Sequence, residues 1–167
     1  MKYLPFCLLI FLASLSSCQE TQDLVLDPPL SKVVGISDTW KLTQVVQVDF
    51  LTKIPERRER NITTLAIGAN PMTVSFTTDG SYSLNAGSSL NYLGAESGTW
   101  TFNNNDYPTL INISANGINT ELSLYGPTRE IDSYLKVGVQ RYCNIPDDNG
   151  VPQATPTLGY IYIFERQ

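Results

Sequence analysis

The chain has no histidine, and that absence limits the chemistry open to it. A Ser-His-Asp triad or a Cys-His pair needs an imidazole as base. Zinc sites built on histidine need the same ring as a ligand. No glycine-rich loop precedes a helix in the way that phosphate-binding loops do. A carboxylate pair could still hydrolyse a glycosidic bond, since two acidic groups about 5–9 Å apart suffice. Asp147, Asp148, Glu96, Glu121 and Asp132 are the candidates. Asp147-Asp148-Asn149-Gly150, however, reads as a solvated turn, and it lacks the alternating ligands and closing Glu of a calcium loop. Cys143 follows a strand-like stretch and reads as a small, half-buried apolar residue with no base to activate it. We therefore expect no catalytic residues, no metal site and no cofactor.

Binding is the function class left open. The sequence has nine tyrosines and two tryptophans, and tyrosine gives rigid amphipathic contact area at low entropy cost. Tyr134 and Tyr142 fall on the face opposite Leu135 and Val137, so both should be exposed. Tyr92, Tyr107 and Tyr125 lie at loops or strand ends. The candidate ligand-binding residues are Trp40, Tyr92, Trp100, Tyr134 and Tyr142, with Trp40, Tyr92 and the Pro-rich loop 144–156 near a shared opening. Outer strand faces favour tyrosine without any ligand, so plain surface packing is the competing reading.

The elements that must position these side chains are strands. From Asp38 onward apolar residues alternate with polar ones, the mark of half-buried β-structure. The inward set is Trp40, Leu42, Met72, Val74, Phe76, Tyr82, Leu84, Trp100, Phe102, Ile111, Ile113, Leu122, Leu124, Leu135, Val137 and Val139. For the last strand either Tyr160 and Tyr162 or Ile161 and Ile163 could face inward. Asp79-Gly80 and Asn116-Gly117 are tight-turn signals. Residues 50–69 break the pattern with a charged run and a short helix capped by Asn61 or a threonine. About eight short strands joined by tight turns predict an all-β antiparallel meander closing as an up-and-down barrel, with a two-sheet sandwich as the alternative. So bulky an inward set fills a barrel of this size, whose interior otherwise has room for one small ligand.

The start of the chain is different in kind. Lys2, an apolar run over residues 4–15 and small residues leading into Cys18 have the form of a secretory signal, too short for a stable membrane span. Leu15-Ser16-Ser17-Cys18 resembles the lipobox of bacterial lipoproteins. The resemblance implies cleavage before Cys18 and lipid on its thiol and new amino group, and several acyl chains make a firm anchor. Removing 17 of the 167 residues leaves 150, ample for one domain. We read 1–17 as signal, 18–34 as tether and 35–167 as the folded domain. With Lys2 gone the formal charge of −5 becomes −6, and the basic cluster Arg57, Arg58 and Arg60 is interrupted by Glu59, which argues against nucleic acid. Cys7 leaves with the signal and Cys18 carries lipid, so no disulfide is available to the domain.

Several motifs occur in order: Gly35-x4-Trp40-Lys41-Leu42, Ser75-Phe76-x2-Asp79-Gly80-x-Tyr82, Ser97-Gly98-Thr99-Trp100-Thr101-Phe102 and Tyr107-Pro108-Thr109-Leu110-Ile111. The series resembles the lipocalin-like lipoproteins of Bacteroidetes, a group of domains of unknown function. The acidic, Gln-containing stretch after Cys18 is similar to their surface-export tags. The resemblance implies a small β-barrel on a lipid tether, placed at the outer membrane and facing either the periplasm or the outside. Gly35 and Trp40 are also similar, at a longer spacing, to the G-x-W signature of true lipocalins, which implies that Trp40 closes one end. The expected function is a non-enzymatic, lipid-anchored envelope protein that binds a small hydrophobic ligand or a glycan. The alternative is a structural or interaction subunit of an envelope complex, or an inhibitor of a secreted enzyme, with a protein partner the sequence does not identify.

Overall fold

A computed structural model describes residues 31–125 and 133–167. The signal stretch, Cys18, the tether up to residue 30 and Asp132 lie outside them. Helix α1 (Lys32–Ile36) leads into strand β1 (Thr39–Asp49). Short helix α2 (Pro55–Arg58), strand β2 (Glu59–Asn61) and helix α3 (Thr63–Ala66) follow. The meander then runs through β3 (Thr73–Phe76), β4 (Ser81–Asn85), β5 (Ser97–Phe102), β6 (Leu110–Ala115), β7 (Ile118–Leu124), β8 (Tyr134–Pro146) and β9 (Pro152–Arg166). Each strand pairs antiparallel with the next from β3 to β9. β1 pairs with β3 on one side and β9 on the other, from Trp40↔Arg166 to Asp49↔Leu158. Eight strands thus close a barrel, which removes the exposed edges an open sheet would carry. β2 is a ninth strand, added to β1 at Val46–Val48.

Alternation dictates what fills the barrel. Every residue of the predicted inward set is buried except Leu124, which is half-buried. The open question on the last strand resolves in favour of the aromatics: Tyr162 and Phe164 are fully buried, while Ile161 and Ile163 are half-buried. A bulge at Thr43 resets the parity of β1 so that Val45 is buried after Leu42. The turns form as their residues require. Asn116 and Gly117 both have positive φ (52° and 77°), the pattern of a type I′ hairpin turn. Asp79 Oδ1 accepts the Ser81 N–H (2.9 Å) and the Thr77 hydroxyl, and these donors hold its pKa below the usual carboxylate value. At the start of α3, Asn61 Oδ1 accepts the Thr63 N–H at 2.9 Å.

Two expectations are corrected, the loop at 144–156 and the burial of Cys143, while the turn at Asp147–Gly150 forms as expected. Residues 144–156 are mostly strand rather than loop, because β8 and β9 continue pairing as far as Pro146↔Pro152. Asp147-Asp148-Asn149-Gly150 is the tip of that hairpin, with Asp147 Oδ1 accepting the N–H groups of Asn149 and Val151. Cys143 lies on the projecting hairpin and is exposed, not half-buried.

Candidate functional site

The two ends of the barrel are closed by different devices. At the α1 end Trp40 is completely buried and its Nε1–H donates to the Ile36 carbonyl at 2.8 Å. Arg166 lies over the Trp40 ring at 4.9 Å, pairs with Asp38 at 3.3 Å and donates to the Gly35 carbonyl at 2.7 Å. A helix, an indole and a guanidinium together seal this end. Among the described residues no helix is long and apolar enough to cross a membrane.

The opposite end is plugged by the connection between β4 and β5, residues 86–96. Leu93, in the middle of that connection, is 1% exposed and belongs to the main core. Asn91 folds it locally: Oδ1 accepts the Leu93 N–H and Nδ2 donates to the Gly94 carbonyl, both at 3.0 Å. Gly94 takes φ +127°, a conformation side-chain-bearing residues rarely adopt, beside Thr120 on β7. Tyr162 holds the plug from below. Its hydroxyl donates to the Leu90 carbonyl (3.0 Å) and accepts the Tyr92 N–H (3.2 Å). Burial pushes the Tyr162 hydroxyl up to about 12 and raises Tyr160 as well.

With the axis filled, the open space is in the wall. β7 and β8 pair only at Ser123↔Gly138 and Leu124↔Val137, near the α1 end. Beyond those pairs the two strands splay apart, and the gap is a cleft of about 570 Å³. Thr120 and Glu121 line it from β7, Gln140, Arg141 and Tyr142 from β8, and Tyr92 from the plug. The Arg141 guanidinium lies 4.8 Å from the centre of the Tyr92 ring, and Tyr92 packs on Tyr160 at 4.4 Å with 30° between planes. Tyr142 donates to Gln140 Oε1 at 2.8 Å along the rim. The cleft therefore offers aromatic faces, one cation, one carboxylate and amide groups, within the volume range of small-ligand sites (~300–1,000 Å³).

A lipocalin-like domain model matches residues 36–125, more than half of the 167-residue chain. The chain belongs to the lipocalin-like domain family. The match spans the α1 end, the plug and β7, and it stops short of β9 and of β8, which supplies the second wall of the cleft. No curated protein gives a match to the chain. This lipocalin-like domain brings together only two of the five residues proposed from sequence, Tyr92 and Tyr142, both in the cleft. Trp40 is in the sealed end. Trp100 is in the core, edge-on to Phe76 (5.3 Å) and Phe102 (5.2 Å), with Nε1–H donating to the Thr77 carbonyl at 3.1 Å. Tyr134 is exposed near the α1 end, opposite Glu165 on β9. Arg141 and Glu121 were not singled out as ligand contacts: nothing in the spacing of β7 and β8 announces that the two strands part company. Among the described residues no three His, Cys, Asp or Glu side chains gather as a metal site.

Proposed function

We propose that this chain is a non-enzymatic, lipid-anchored protein of the cell envelope, held by lipid on Cys18, that binds a small glycan in the cleft between β7 and β8. Family membership suggests a small-molecule ligand of some apolar character. The observation that carries the choice of site is the filled interior: Leu93, Tyr162 and Phe164 occupy the axis, while the wall is open beside Tyr92 and Arg141. Stacked rings next to amides and charged groups suit a sugar, which has an apolar ring face and hydroxyl edges. A purely apolar ligand would take Arg141 and Glu121 out of water without giving them hydrogen-bond partners, which is costly.

A second reading has one specific observation behind it. Gly87 (φ +56°) and Gly94 (φ +127°) bracket the plug, so a swing about them would open the axis to a fatty acid. A thermal-shift panel on the lipid-free mature chain separates the two. A ligand at 100 times its dissociation constant adds about 2.7 kcal/mol, raising the melting midpoint by roughly 5–10 °C. Shifts with soluble glycans support the cleft. Shifts with fatty acids alone move the site to the axis, and silence from both leaves a protein partner as the better account.

A further inference from the structure

Resting on that assignment of the cleft, we infer that its ligand is an acidic saccharide, a sugar ring bearing a carboxylate, and that Arg141 takes the carboxylate. Arg141 sits where the β8–β9 register shifts, between Arg141 and Tyr142. The extra residue at that shift is Thr157 on β9, a bulge that alters the local twist, and both Arg141 and Tyr142 line the cleft. The Thr157 hydroxyl donates to the Arg141 carbonyl at 3.3 Å, which ties the bulge to β8.

Among the described residues the guanidinium has an aromatic partner but no acidic one. Its contact is the Tyr92 face at 4.8 Å, and the ion pair found among the described residues is Arg166 with Asp38. The N–H donors of a guanidinium form a fork that matches a carboxylate. The Tyr92 ring is itself backed by Tyr160 at 4.4 Å, so the cation rests on a fixed two-ring platform. A guanidinium held in this way loses little rotamer freedom on binding, which favours affinity.

The other wall sets the limit on charge. Glu121 lines the cleft from β7. A carboxylate there accepts sugar hydroxyls and repels a second anionic group. One cation, one carboxylate, a ring platform and the Gln140 amide thus fit a sugar with a single acid group and several hydroxyls. A ligand with several anionic groups fits them badly.

The test is calorimetric titration of the full mature chain with glucuronate and galacturonate disaccharides and their neutral counterparts. Wild type, Arg141→Gln, Arg141→Lys and Glu121→Gln are compared, with melting curves to confirm folding. We expect at least tenfold tighter binding of the acidic sugars to wild type, about 1.4 kcal/mol. Arg141→Gln should erase that preference, bringing acidic and neutral sugars to equal affinity, and Arg141→Lys should retain part of it. Glu121→Gln should weaken the discrimination against doubly charged sugars. Equal binding of the two series by wild type, or a preference that survives in Arg141→Gln, overturns the inference and leaves the cleft as the site. Failure of both series to bind wild type removes the cleft assignment and the inference with it.

Discussion

Replacing Tyr162 with Phe tests how the plug is held. The substitution keeps the ring against Phe164 and removes one oxygen that serves two backbone groups, the Leu90 carbonyl and the Tyr92 N–H. Each group left unpaired in a buried setting costs about 1–3 kcal/mol, and partial burial of these two puts them in the lower half of that range. The sum is about 2–3 kcal/mol, or roughly 5–10 °C in melting midpoint for a domain of this size. Urea denaturation at neutral pH measures it directly, and hydrogen exchange at the Tyr92 amide should quicken in the variant. Alkali gives a second readout. The folded-state pKa of Tyr162 is raised to about 12 against 10 in the unfolded chain. Its contribution is therefore complete below pH 10 and is lost as pH rises towards 12, by roughly 2–3 kcal/mol. The variant has no such group to lose, so the stability gap between the two proteins should close across that window. A neutral-pH difference under about 0.5 kcal/mol, or a gap that stays constant to pH 12, refutes the assignment of Tyr162 as the anchor of the plug.

Four further substitutions probe the frame and the tether. An alanine at Gly98 would place its Cβ 2.3 Å from the Ser114 carbonyl oxygen, so two strands must move apart, while at Gly138 the clash is with the tip of the half-exposed Tyr125 ring. Gly98→Ala should cost about 2–3 kcal/mol in urea denaturation and Gly138→Ala less than about 1 kcal/mol. Trp40→Phe deletes the bond to Ile36 and leaves a void under α1; an expected loss of about 2–4 kcal/mol is checked by calorimetry. Cys18→Ala should move the protein from the membrane fraction to the soluble fraction and abolish incorporation of labelled fatty acid, and persistence in the membrane would remove the lipid anchor from the account.

Much of the barrel is legible in the sequence because burial on one face imposes a period of two. Met72, Val74 and Phe76 alternate with Thr73 and Ser75, and the structure buries the first set completely. Turn positions are legible for a related reason: Asn116-Gly117 is one of few pairs that tolerate positive φ at both residues. The plug is not. Leu93 lies in a short stretch broken by Asn91 and Gly94, too short for any periodic run to mark it as core. The long β8–β9 hairpin is hidden by its own prolines. Pro146, Pro152 and Pro156 read as loop residues, yet they are tolerated here at the end of a projecting hairpin with a free outer edge. The cleft is the least legible feature. Both β7 and β8 alternate as paired strands do, and nothing in that alternation shows that they pair only at Ser123↔Gly138 and Leu124↔Val137.

The most direct test of the central claim, a site in the wall of a filled barrel, is an amide chemical-shift map of the labelled chain. It would be recorded with neutral and acidic disaccharides and, separately, with laurate. The account predicts saccharide-dependent shifts clustered at Tyr92, Gly94, Glu121, Gln140 and Tyr142, with Met72, Phe76 and Trp100 unmoved. Shifts centred on Met72, Phe76 and Trp100, induced by laurate and absent with sugars, would place the ligand on the barrel axis and contradict it.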